Sequence, residues 1–142
     1  TPLYSSAASD VYKRQLLDRI DMHIEVPSVE YEAMRRKEQP ETSAAVRQRV
    51  NAAREVQKRR FEGTAVTCNA YMTPAMIGQY CQLDAAGEKV MQGAFERLGL
   101  TGRSHDRILR MARTIADLDG AENIQVQHLA EAIQYRSSNL LK

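Results

Sequence analysis

Apolar residues spaced three and four apart recur along most of this chain and predict a succession of helices. The strongest pattern runs from Leu100 to Leu118. Ile108, Ala112 and Ile115 repeat at helical spacing there, and Leu109 and Ala116 widen the stripe. Thr101 or Ser104 can start this helix by accepting a hydrogen bond from a first-turn N–H, and Gly120 is placed to end it. Arg103, Arg107 and Arg110 fall on another face. An arginine row at a helix start suits phosphate, through its forked donors and the positive end of the helix dipole. It equally suits a solvated basic face.

The same reasoning predicts a long helix over residues 42–61, with Val46, Val50, Ala53 and Phe61 as its buried stripe. Arg47, Arg54 and Lys58 line one border of that stripe, and Arg49 and Arg60 the other. Their aliphatic stems can cover the seam, or their charged heads can meet nucleic acid. After an irregular stretch over 63–71, Thr73-Pro74 is a helix start with Pro in the first turn, and that helix is expected to end near Leu83. Asp84 caps the next helix, which Gly99 closes. A turn over 119–123 leads to a last helix carrying His128, Leu129, Ala132 and Ile133. The tail 137–142 is expected to fray.

The N-terminal part reads differently. Met22, Ile24 and Val26 alternate with Asp21, His23 and Glu25, a strand pattern halted by Pro27. No other stretch has a convincing strand pattern, and a lone strand is not stable by itself. The expectation is one orphan β-strand that belongs to a sheet outside this chain. Residues 28–36 can form a short helix with Ser28 as cap and Val29 and Ala33 facing inward, followed by a linker that ends at Pro40.

Composition narrows the chemistry. At 142 residues the chain suits one domain, and a formal charge of +2 leaves room only for a local basic patch. Two cysteines do not make a disulfide framework, and no apolar run suits a signal peptide or a bilayer crossing, so the expected compartment is the cytoplasm and no membrane partner is expected. There is no GxxxxGK[ST] loop and no acidic strand end for magnesium, so this chain alone is expected to bind no nucleotide and to have no ATPase activity. His23, His105 and His128 lack ligand spacing, and Cys68 and Cys81 form no CxxC, so no metal site is expected. The string Ser5–Gln15 resembles a translated sequencing adapter. Residues 1–15 are therefore read as a non-native leader and set aside.

Leu16-Leu17-Asp18-Arg19-Ile20-Asp21-Met22-His23-Ile24-Glu25-Val26-Pro27 resembles the LLDRIDLHVEVP segment of the magnesium-chelatase-like AAA+ ATPases, with a closer match to the bacterial ComM/YifB branch. Cys68-Asn69-Ala70-Tyr71-Met72, Leu98–Arg103, Arg107–Leu118 and His128–Arg136 also resemble the C-terminal part of that branch. Gly102 departs from it, since the branch more often has Ala before the arginine. The resemblance implies a mainly α fold: an AAA+ helical lid bundle over 41–142, preceded over 16–40 by the end of a truncated α/β ATPase core. By the same resemblance Arg19 matches an arginine finger that reaches the neighbouring subunit's nucleotide, with Asp18 beside it, and Arg103 matches sensor 2 at the γ-phosphate. The resemblance gives Arg107, Arg110 and Arg113 no such role, and packing or solvation is expected of them. The full-length protein implied is a cytoplasmic ring, six subunits by resemblance, using ATP and Mg2+ to act on DNA in branch migration and recombination during natural transformation. Two other readings of the chain remain: a free-standing helical module that binds nucleic acid or an adaptor through the basic borders of the 42–61 helix, and a helical interaction domain with incidental arginines.

Overall fold

The computed structural model describes residues 11–13, 15–36 and 39–136. Most of the leader and the whole 137–142 tail lie outside the described residues, as do Lys37 and Glu38 of the linker. Residues 11–13 and 15–17 are helical. The elements that follow are α1 (Tyr31–Arg35), α2 (Ser43–Arg60), a 3-10 turn (Asn69–Tyr71), α3 (Pro74–Tyr80), α4 (Ala85–Leu98), α5 (Gly102–Leu118) and α6 (Val126–Gln134).

Local side-chain chemistry sets most helix starts. The hydroxyls of Thr42, Thr73 and Thr101 and the Asp84 carboxylate each accept from the N–H three residues on. Gly99 ends α4 at φ +60°, a conformation costly for any residue with a Cβ. Gly120, at φ +68°, follows α5, and the neighbouring Ala121 N–H bonds back to Ala116 O at 2.9 Å. α6 starts with Gln125 and His128 capping each other, the His128 Nδ1 accepting from the Gln125 N–H.

α5 is the central element. It packs on α2, the 3-10 turn, α3 and α6, while α4 packs on α6. Its buried face is formed by Ile108, Leu109, Ala112 and Ala116, to which α6 adds Leu129, Ala132 and Ile133. Met72, Ile77 and Met91 complete the same core.

Three expectations need correction. Residues 22–30 have no regular structure, so the orphan β-strand is not there, and no strand occurs among the described residues. The alternation of Met22, Ile24 and Val26 finds no ladder, and the backbone bond from His23 N–H to Tyr135 O, 2.7 Å, joins the stretch to the end of a helix instead. The helix expected over 28–36 shrinks to Tyr31–Arg35, has no side-chain cap and buries nothing; Val29 is 65% exposed. The stripe of α2 is buried only in its second half. Ala53, Gln57 and the following Phe61 are buried, whereas Val46 and Val50 are about 40% exposed because the bundle does not extend that far.

Candidate functional site

The Leu16–His23 segment lies against one end of the bundle, held there by two arginines. The Arg107 guanidinium on α5 donates to the Asp18 carbonyl, and its Nε lies 3.1 Å from the Asp21 carboxylate. Arg136, just past α6, donates to the Ile20 carbonyl at 3.0 Å and lies 3.5 Å from the Asp18 carboxylate. The His23 ring bonds the Leu17 carbonyl at 3.0 Å; a carbonyl only accepts, so the Nε2 carries the proton. Burial lowers the Arg136 pKa, as does the nearby Arg107 charge, while Asp18 and Asp21 oppose the shift. The four charges thus form one cluster in which each arginine meets a carboxylate.

Arg19 sits between the two gripped residues Asp18 and Asp21. It is exposed, and its guanidinium has no partner among the described residues. Arg103 lies in the first turn of α5, one helical turn before Arg107, and is likewise exposed and unpartnered. A cleft of about 200 Å³ separates the docked segment from the start of α5; Leu17, Asp18, Gly99, Thr101 and Ser104 line it. The fold therefore brings the sequence-predicted residues Asp18, Arg19 and Arg103 to one end of the bundle. The expected outward row of three arginines is reduced to Arg103 alone. Arg107 turns to the docked segment, and Arg110 donates to the Met72 carbonyl at 2.8 Å.

The sequence reading missed the role of Arg107 and Arg136. The available signal was two carboxylates flanking Arg19 at a three-residue spacing, which call for cations brought from elsewhere in the fold.

A second charged cluster is structural. Asp117, with no exposed side chain, takes a bidentate pair from Arg60 at 2.5 and 2.7 Å, a bond from Arg113 Nε at 3.1 Å and one from Asn69 Nδ2 at 2.8 Å. Arg113 spends its remaining donors on the Ala121 and Glu122 carbonyls. Asn69 completes the network: its N–H donates to the Gln57 side chain and its Oδ1 accepts from Arg60. Arg113, expected to pack or to be solvated, is buried in this network. Beside this cluster the Cys81 thiol is pushed up to about 11 by burial, against the lowering pull of Arg113 and Arg60.

On α2, Arg47, Arg54 and Lys58 are exposed and have no partner among the described residues, whereas Arg49 pairs with Glu41. Arg54 and Lys58 border a groove of about 730 Å³ floored by Val50, Ala53 and Ala70. No group of three His, Cys, Asp or Glu residues among the described residues could hold a metal ion. No helix among them is long and apolar enough to cross a membrane.

The helical bundle is of the C-terminal domain type of the magnesium chelatases. Residues 40–136 match the family model described as "Magnesium chelatase, subunit ChlI C-terminal", and the chain belongs to that family. It is 40% identical over 122 residues to the competence protein ComM of Haemophilus influenzae, covering 85% of this chain and 23% of that protein. It is 39% identical over 126 residues to the uncharacterized protein YifB of Escherichia coli, covering 88% of this chain and 24% of that protein. An uncharacterized protein of Mycobacterium bovis is 29% identical over 123 residues. The chain thus spans about a quarter of the length of these curated relatives.

Proposed function

We propose that this chain is the lid portion of a ring-forming, cytoplasmic AAA+ ATPase of the ComM type, and that it offers Arg19 to a neighbouring subunit as an arginine finger and Arg103 as sensor 2. The observation that carries this reading is that the two guanidiniums reach solvent from the same end of the bundle with no partner among the described residues, while Arg107, Arg110 and Arg113 on the same helix as Arg103 are engaged. A free guanidinium can meet phosphoryl oxygens with its donor fork and stabilise the charge that spreads over them during transfer. Both arginines fit the phosphate end of a nucleotide. Magnesium fits this chain less well, because the nearby carboxylates Asp18 and Asp21 are taken up by Arg136 and Arg107. The metal belongs with the phosphate loop of the longer protein. Coupling of hydrolysis to DNA remodelling, including branch migration in natural transformation, follows as the role of that whole protein.

The test joins residues 16–142 to the preceding part of a ComM relative and measures ATP turnover. Arg19→Ala is expected to lower kcat by about a thousandfold or more, and Arg103→Ala by roughly a hundredfold. Because a finger serves the neighbour's nucleotide, mixing Arg19→Ala subunits with subunits that have a disabled phosphate loop should restore part of the rate. An active ring that keeps its full rate with Arg19→Ala would end this reading.

A second reading draws on the exposed row of Arg47, Arg54 and Lys58: a free-standing module that binds nucleic acid through α2. Titration with DNA across salt separates the two. A module of this kind shows an affinity that falls steeply with salt, with a slope near the number of phosphates contacted. An isolated lid shows little affinity at any salt.

A further inference from the structure

Arg19 stands alone in solvent, yet the residues on either side of it do not. Asp18 is gripped twice, at its carbonyl by Arg107 and at its carboxylate by Arg136. Ile20 is held at its carbonyl by Arg136, and Asp21 at its carboxylate by Arg107. Two residues later the His23 N–H bonds the Tyr135 carbonyl, next to Arg136. The two clamping side chains are well covered, 18% and 7% exposed, whereas the carboxylates they hold are more than half exposed. The rigid partners thus belong to the bundle, and the held partners belong to the turn that follows the helical residues 15–17, where the Arg19 and Ile20 N–H groups bond the Leu16 and Leu17 carbonyls, and to the irregular stretch after it.

We propose that Arg107 and Arg136 are positioning residues that fix the direction in which Arg19 leaves the bundle, and so tie the finger to the helix that carries Arg103. This rests on the reading of Arg19 as a finger. Each guanidinium reaches one carbonyl and one carboxylate from two different nitrogens of its planar fork, a fixed separation of donors that the point-like ammonium of a lysine does not offer. The docked segment and α5 then move as one body. A shift of the Arg103 turn is transmitted through Arg107 to the Asp18 carbonyl, one peptide from Arg19. A guanidinium displaced by an ångström at a phosphoryl group loses much of its effect, because the contribution depends on alignment.

The first experiment uses the 142-residue chain and reads amide hydrogen exchange over residues 16–24. In Arg107→Gln/Arg136→Gln the His23 amide should exchange about ten- to a hundredfold faster, as expected for loss of charge-assisted hydrogen bonds, with α4–α6 protection unchanged. Arg107→Lys should give an intermediate rate. Asp18→Asn/Asp21→Asn, on the exposed side of the clamp, removes its two carboxylate contacts with no substitution in the bundle and should also speed exchange, by less than the arginine variants do because the carbonyl bonds remain. Unchanged exchange in both double variants would overturn the clamp. The second experiment places the arginine variants in the joined ATPase. There kcat should fall about a hundredfold, with KM for ATP within about twofold, since a misdirected finger affects the transferring phosphoryl group more than ground-state binding. A loosened segment with kcat unchanged, in a ring where Arg19→Ala does abolish turnover, would overturn the positioning role alone. A ring indifferent to Arg19→Ala would remove the finger reading and with it this proposal, whatever the exchange data show.

Discussion

At the scale of single residues, the fold depends on one carboxylate. Asp117 faces Arg60, Arg113 and Asn69 out of contact with water. Removing its charge leaves two covered guanidiniums competing for an amide, so Asp117→Asn should cost about 3–5 kcal/mol of stability in urea unfolding. Asn69→Ala should cost less, about 1–3 kcal/mol, by orphaning neutral partners and part of the Arg60 fork. Cys81 gives a prediction with a defined sign. Its folded thiol is raised from an ordinary value of 9 to about 11. Below pH 9 both folded and unfolded chains keep the proton, and this group leaves stability unaffected. Between pH 9 and about 11 the unfolded chain loses it first, so stability falls with rising pH, by up to about 1.4 kcal/mol per unit. Comparing unfolding of the parent and Cys81→Ala across that window isolates the effect: the variant should show the shallower fall.

At the scale of elements, starts and stops were the most legible part of the sequence, because a cap is a contract between a residue and its own helix. Thr73, Asp84 and Thr101 bond N–H groups three residues away, and that chemistry needs no knowledge of the tertiary fold. Gly99→Ala should accordingly destabilise by about 1–2 kcal/mol, since it forces a Cβ into the left-handed region. The strand failed for the opposite reason. Alternation says what a stretch would do beside a partner and not whether one is present. Similarly, helical periodicity marked Val50 for burial, yet only the neighbours of α2 decide which turns are covered. Val50→Ser should therefore change stability by less than about 1 kcal/mol, whereas Ile108→Ala, at a fully buried position, should cost about 2–5 kcal/mol. Of the candidate site, Arg19 and Arg103 were singled out through long strings of family resemblance, and the structure adds that both are exposed. The pairing of Arg60 with Asp117, 57 residues away, was not, nor was the grip of Arg107 on Asp18 across 89 residues. Charge alone sorts such residues to solvent, and only the folded chain shows which of them turn inward.

At the scale of the whole molecule, the described residues form a bundle centred on α5, with a long helix emerging from one side and an arginine-bearing segment docked at one end. The sequence contains no phosphate loop, so the 142-residue chain by itself should hydrolyse no ATP above a boiled control. Turnover that survives further purification and disappears with Arg103→Ala would contradict this. The way α2 is mounted has a mechanical consequence. Its C-terminal turns are bolted to α5 through Arg60 and to the 3-10 turn through Gln57, while the turns before Ala53 bury nothing. Eighteen residues of helix make a lever arm roughly 27 Å long. If the bundle pivots by about 10°, the far tip of that arm sweeps roughly 5 Å, by simple trigonometry on the same length. A body seated against the far turns of α2 would feel a small rotation here as a stroke.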